Sequence, residues 1–389
     1  TERKETDNYW YKAIAIIDRL IGLGDDESIS NVDTVSSATV SSQAIKEAVQ
    51  NALKGAIADD SGIFDSGNGS QRNPYKICTI AQLQAFAKSV NEGTDYARKY
   101  VSLSTNLDLK DIAWTPIGIS DHGKYTSFAG TFDGCGYTIS HINCGSGSDA
   151  ANHEAIGFFG VVEGTVQNLN ISIDKYYNRH YANRQIVSMG GLVGILARGG
   201  IIDHCSVSGG SQVVSETSGP KAAVGGLAGQ IESGTIVANS WTDVGLNYGS
   251  LYTDADVSMG GICGKQARNS LIVNCASFGS VPGMIMTGAL RVGGLAGQTS
   301  GSIYNCYTAS LTKANVMGEP TASGFTNNDA STAIGHLIGS SETGAALYDC
   351  YYDKNADQFS NVDMAGDPSE GKTERRQATG WDNGSAIKT

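Results

Sequence analysis

Asp203 and His204 stand side by side, and Asp243 follows forty residues on. A carboxylate beside an imidazole can orient the ring and balance its charge during proton transfer. Two carboxylates on one outer face can divide acid and base roles in polysaccharide cleavage. Other strings suggest different chemistry. Gly366-Asp367-Pro368-Ser369-Glu370-Gly371-Lys372-Thr373 spells a phosphate-binding loop. No buried apolar strand precedes it, Pro368 removes a backbone donor, and Asp367 and Glu370 would face the phosphates, so it reads as a loop. Asp353, Asn355 and Asp357 copy the start of a calcium loop, but Gln358 and Met364 stand where glycine and glutamate belong. That segment reads as a solvated exit. Gly145-x-Gly147-x-x-Ala150 has no following helix and is another loop. His122, His141, His153, His180 and His336 show no metal-ligand spacing, and no His-Glu-x-x-His occurs. These strings therefore assign no catalytic, cofactor or metal residue, and the expectation is a protein that is not an enzyme.

What holds these residues in place is a repeat. The pentads Gly190-Gly191-Leu192-Val193-Gly194, Gly225-Gly226-Leu227-Ala228-Gly229, Gly260-Gly261-Ile262-Cys263-Gly264 and Gly293-Gly294-Leu295-Ala296-Gly297 recur, with looser copies at 156–160 and 334–339. Steps between equivalent glycines are 34, 35, 35, 33 and 41 residues. A second block follows each pentad: Val166-Gln167-Asn168-Leu169, Ile202-Asp203-His204-Cys205, Val237-Ala238-Asn239-Ser240, Ile272-Val273-Asn274-Cys275, Ile303-Tyr304-Asn305-Cys306 and Leu347-Tyr348-Asp349-Cys350. Its first column is aliphatic and inward. Its second varies and points outward. Its third holds Asn, Asp or His, residues that tolerate left-handed backbone at a bend. His204 belongs to that column, so backbone geometry accounts for it. The fourth column is small or apolar and inward.

Equal columns at equal period describe stacked coils. Each unit offers short β pieces: the pentad, the second block, and a variable third piece such as 211–216. Strands this short bury no face alone, but wound as a solenoid each coil bonds to the next at about 4.8 Å. A parallel β-helix fits best, with a propeller as the rival. Cys205, Cys275, Cys306 and Cys350 share the inward fourth column. They form either a stack of small buried thiols or an inter-coil disulfide, with Cys275–Cys306 the best pair. Cys135 and Cys144 are a second possible pair. Tyr304, Tyr307, Tyr348, Tyr351 and Trp241 fall in outward columns. They form either a strip that binds sugar rings or a partner chain, or a surface covered by a loop.

The balance of 27 basic against 39 acidic residues gives a net charge of −12, which argues against nucleic acid and anionic lipid as partners. No apolar run approaches 18 residues, so no membrane insertion is expected in this segment.

The Gly-Gly-Leu-x-Gly pentads resemble the GLUG motif of bacterial adhesin-like surface proteins and of some immunoglobulin-A peptidases. Further marks span 74–376: Pro74-Tyr75-Lys76-Ile77-Cys78-Thr79-Ile80, Trp114-Thr115-Pro116-Ile117-Gly118, Phe128-Ala129-Gly130-Thr131-Phe132-Asp133-Gly134, and Cys350-Tyr351-Tyr352-Asp353. The resemblance implies an all-β, right-handed parallel β-helix on an exported, extracellular cell-surface protein.

Thr79 and Gln82 form a capping box, and Leu83, Phe86, Ala87 and Val90 follow at helical spacing, so a short helix should cover the open end of the β-helix. A separate helical segment precedes it. Trp10, Ile14, Ile17 and Ile21 make one stripe. Ile45, Val49 and Leu53 make another, capped at Ser41 or Ser42. The stretch 32–42 resembles the terminal part of FMN-binding domains, whose threonine at the position of Thr39 can carry flavin. Ser37 replaces the usual glycine and the expected β-rich body is missing upstream, so no cofactor is assigned. The expected domains are helical 1–58, a linker 59–73, a capped β-helix 74–354 and a tail 355–389. The expected function is a monomeric adhesion or scaffold module binding a glycan or a protein on a host or neighbouring cell. The alternatives are a polysaccharide lyase or hydrolase, or the non-catalytic repeat region of a larger surface protease.

Overall fold

The computed structural model describes residues 7–21, 29–36, 38–56, 62–121, 124–144, 153–178, 187–216, 221–250, 255–285, 288–316, 320–321, 324–325 and 332–353. The chain divides into two compact units, Thr1–Lys76 and Ile77–Thr389.

The first unit holds helices Asp7–Ile14, Ile17–Leu20 and Thr39–Ala56. Its core is Ile16, Leu20 and Ile29, with Val32, Val35, Ile45 and Val49 packed against them. The Ile45/Val49 stripe faces this core as its spacing requires. The other stripe does not: Ile14, Ile17 and Ile21 are 37%, 44% and 73% exposed, while Ala13, Ile16 and Leu20 are buried. Both sets have helical spacing and lie about one residue apart around the axis, so periodicity does not choose between them. The helix begins at Thr39, ahead of the Ser41/Ser42 cap expected from sequence, and Ser42 Oγ instead accepts from the Val35 amide at 3.2 Å. Lys46 is buried and its ammonium donates to the Ser30 and Val32 carbonyls at 2.9 and 2.6 Å, which anchors the loop before Thr39. The described part of the expected linker is ordered. Phe64 is buried against Tyr75 (4.4 Å, 6°), and Asp65 and Lys76 share a backbone bond of 2.9 Å. A Cβ on Gly67 (φ +97°) would strike the Pro74 carbonyl, which fixes the turn.

The second unit is a parallel β-solenoid. One rung shows its four faces in order: Lys221–Gly225, Ala228–Ile231, Ile236–Ala238 and Trp241–Ser250. Each strand pairs in parallel with its equivalent on the next rung, as in Lys221↔Asp256, Ala228↔Cys263, Ile236↔Leu271 and Trp241↔Ala276. Among the described residues the first two faces each hold six strands. The pentad is the corner between them. A Cβ on Gly261 would fall on the Gly294 carbonyl oxygen and on Ser277 of its own rung, so the close approach of rungs demands glycine there. The third piece is a continuation of the fourth face. Ser206–Glu216 is one strand, with a register shift between Gly209 and Ser211.

The columns face as their residue types dictate. Val166, Ile202, Val237, Ile272 and Ile303 are fully buried, as are the pentad residues Leu192, Leu227, Ile262 and Leu295. Each such side chain contributes about 1.5–3 kcal/mol over leaving it in water. At the low-numbered end, helix Ile80–Asn91 carries the capping box, and Leu83, Phe86, Ala87 and Val90 are buried. Phe86 meets Phe128 edge-on at 5.6 Å, and Phe128, Phe132, Phe158 and Phe159 continue the aromatic plug, all at 0% exposure. Trp114 stacks on Phe158 at 4.9 Å and donates its indole N–H to the Phe158 carbonyl at 3.0 Å.

Candidate functional site

The most differentiated surface is the corner between faces three and four. There the chain must turn sharply at every rung, and one residue takes left-handed backbone each time: Asn168 (φ 50°), His204 (51°), Asn239 (50°), Asn274 (54°), Asn305 (49°) and Asp349 (50°). Short polar side chains tolerate this conformation and can bond locally. At equal rung spacing they also reach one another. Asn305 Nδ2 donates to Asn274 Oδ1 at 2.8 Å, Asn274 Nδ2 to Asn239 Oδ1 at 3.0 Å, and Asn239 Nδ2 to Asp203 Oδ1 at 2.8 Å. The result is a chain of aligned amides that ends on a carboxylate and stiffens the corner.

Aromatic side chains flank this ladder. Tyr304 and Tyr348 end their face-three strands in register (38% and 46% exposed) and stack on each other at 4.8 Å and 12°. Across the corner, Trp241, Ala276, Tyr307 and Tyr351 are in register at the start of face four. Trp241 is 42% exposed and Phe278 is 36% exposed. Phe278 bridges the gap over Ala276, meeting Trp241 at 6.5 Å (66°) and Tyr307 at 6.1 Å (53°). Sequence reasoning missed Phe278 because it lies outside the constant columns; its one signal is the small Ala276 between two large neighbours. The ring orientations refine the expected strip. Tyr304 and Tyr348 each turn one face on the other, whereas Trp241 and Phe278 are tilted and exposed. Ile236, 36% exposed on face three, extends the apolar surface.

The acid–base candidates do not assemble into one site. His204 Nδ1 lies 2.9 Å from Asp203 Oδ1, and the same oxygen accepts from Asn239. Asp243 sits on face four in register with Ser208. His141 pairs with Asp108 at 2.8 Å, distant in sequence from both. Burial pulls the Asp133 carboxyl upward, but hydrogen bonds from Gln167, the Cys135 amide and Asn168 outweigh it and hold it below the ordinary carboxylate value. These bonds brace a turn.

All eight cysteines are free thiols, including both pairs considered as disulfides. Cys205, Cys275 and Cys306 are buried in the inward column, and their thiols donate to rung carbonyls: Cys205 to Asp203, Cys275 to Val273 and Cys306 to Tyr304, at 3.3, 3.2 and 3.1 Å. Burial pushes the Cys205 and Cys144 thiols up to about 12. Hydrogen bonding from Cys275 raises Cys306, and contact with Cys306 raises Cys350. Thiols held this far from ionisation are poor nucleophiles.

Among the described residues there is no group of three or more His, Cys, Asp or Glu placed to hold a metal, and no helix long and apolar enough to cross a membrane. Asp353 ends the described chain. Asn355, Asp357, the 366–373 string, Gly145–Ala150, His122 and His180 lie outside the described residues. Thr39 is exposed as the first residue of its helix, a setting that suits a phosphate. The neighbouring Val40 is 61% exposed, so this helix start is open to solvent.

Comparison with known proteins bears on each unit. The family model of the FMN-binding domain matches residues 1–54. A protein of Evansella cellulosilytica named "Putative Gly-rich membrane protein" is 32% identical over 118 residues, which is 30% of this chain and 13% of that protein. The chain thus aligns with only a small part of that relative's length. A crystal structure from Bacteroides ovatus, described as a "putative immunoglobulin A1 protease", is similar in fold, with a TM-score of 0.51 and 21% identity. It covers 76% of this chain and 80% of that one.

Proposed function

We propose that this chain is a non-enzymatic surface module, displayed outside the cell, that adheres to or scaffolds a partner through the corner between faces three and four. The observation that carries the reading is the row of exposed rings, Trp241, Phe278, Tyr304 and Tyr348, mounted on a ladder whose backbone is fixed at every rung. Exposed contiguous aromatic surface on a rigid scaffold is the usual anchor of a binding face. The GLUG-like pentads and the membrane-protein name of the Evansella relative support a cell-surface setting. The name of the Bacteroides ovatus structure favours a second reading, in which the solenoid is the non-catalytic repeat region of a larger surface protease.

The test is an array of glycans and surface proteins, run beside a polysaccharide-cleavage screen. The reading expects binding that weakens in Trp241→Ala and no turnover. Polysaccharide cleavage abolished by Asp203→Ala would overturn it in favour of a carbohydrate-active enzyme.

A further inference from the structure

The aromatic corner has a one-sided charge. At the turn between faces three and four, from Asp203 to Tyr351, the described residues include Asp203 with His204 beside it, Asp243 and Asp349, and no Lys or Arg; Lys313 lies farther along face four, in the strand Leu311–Val316. Asp243 and Asp349 are exposed. The other basic groups among the described residues of these rungs lie off this corner. Lys221, Lys265 and Arg291 are on faces one and two, where Lys221 and Arg291 pair with Asp256. Arg268, in the turn before face three, donates to the Thr343 carbonyl at 2.8 Å. The corner therefore combines exposed rings, amide oxygens that accept hydrogen bonds, and negative charge carried by the exposed Asp243 and Asp349.

This combination selects among partners. Anionic glycans, nucleic acid and anionic lipid are repelled. A neutral sugar can stack on Trp241 and Phe278 but gains nothing from the net negative charge, while Tyr304 and Tyr348 each give one face to the other. A guanidinium or ammonium gains from every element present: the tilted faces of Trp241 and Phe278, the amide oxygens and the carboxylates. We propose that the corner from Asp203 to Tyr348 docks a cationic polypeptide segment, rich in Arg or Lys. The proposal rests on the surface-module reading and names its partner class.

The test uses the full chain and a fluorescein-labelled oligo-arginine peptide, with oligo-glutamate and a neutral oligosaccharide as comparison probes, followed by anisotropy over a salt series. The expected result is oligo-arginine binding that weakens as salt rises, with no binding of the other two probes. Trp241→Ala leaves the charge unchanged and should weaken binding about two- to fivefold, with Trp241→Phe recovering most of the loss. Asp243→Asn with Asp349→Asn should weaken binding and flatten its salt dependence. Glu92→Gln with Asp95→Asn removes the same charge at the capping-helix end of the solenoid, rungs away from the corner, and should change neither. Circular dichroism midpoints confirm that each variant folds; Asn at 349 keeps the left-handed turn. Equal losses from the two double variants would reduce the effect to net charge and overturn the proposal. So would oligo-arginine binding that ignores Trp241→Ala, or no oligo-arginine binding. Binding of the neutral oligosaccharide that is lost in Trp241→Ala would overturn the cationic partner and leave the surface-module reading standing.

Discussion

Replacing Asn274 separates the two roles of the corner column. Its φ of 54° costs an alanine about 1–2 kcal/mol and costs glycine nothing. Its side chain accepts from Asn305 and donates to Asn239 at 2.8 and 3.0 Å on an exposed surface. Two exposed bonds of this kind are worth about 0.5 kcal/mol each, the low end of the usual range. Asn274→Ala loses both terms and should destabilise by about 2–3 kcal/mol. Asn274→Gly loses the bonds and adds the entropy of a freer unfolded chain, about 0.5–1 kcal/mol, for a total near 1.5–2 kcal/mol. Glycine should therefore be milder than alanine by about 0.5–1 kcal/mol, the reverse of their order in ordinary strand positions. Urea unfolding followed by far-ultraviolet circular dichroism measures both midpoints at a common slope. An alanine variant as stable as the glycine variant would refute the left-handed argument. A glycine variant as stable as wild type would show that the amide ladder contributes nothing.

Thr79→Ala removes the cap hydroxyl that accepts from the Gln82 amide and should cost about 1 kcal/mol in the same assay. A thiol reagent applied to the native protein should label the exposed Cys135 well before the buried Cys144, Cys205, Cys263, Cys275 and Cys306, with full labelling after denaturation; prompt native labelling of Cys275 would contradict the inward column. Burial raises Asp256, but the Arg291 hydrogen bond and the nearby Lys265 and Lys221 charges hold it below the ordinary carboxylate value. Its contribution is therefore complete above about pH 4 and is lost as pH falls through its own lower value. Arg291→Gln should lower the thermal midpoint at neutral pH and narrow its gap to wild type on acidification; a gap that widens in acid would reverse the sign. The purified chain, denatured and freed of small molecules, should show no flavin absorbance; a flavin band lost in Thr39→Ala would establish covalent attachment there.

The solenoid was legible because repetition samples each position several times. An aliphatic residue at Val166 alone says little. The same class at Ile202, Val237, Ile272, Ile303 and Leu347 fixes a column, and Asn168 through Asp349 fix a bend whose φ varies by only a few degrees. Where the chain does not repeat, that averaging disappears. Ile14/Ile17/Ile21 and Ala13/Ile16/Leu20 have the same spacing, and only tertiary packing on Ile29 decides between them. Phe128, Phe132, Phe158 and Phe159 come from strands and turns whose convergence no local pattern reveals. The aromatic corner was half legible. Its residues could be placed outward, but ring tilt is set by neighbours such as Phe278 over Ala276.

The phenylalanine plug closes one extremity and leaves the stacking direction defined toward the other. Inserting one more 35-residue unit, for instance a copy of 221–255, would push everything beyond it outward by one notch of about 4.8 Å. It would also turn each later residue by the same small twist as its neighbours. Such a solenoid behaves as a ruler: the reach of whatever it carries is written in whole numbers of rungs, and genetic duplication can lengthen it while keeping the backbone pairing of every face.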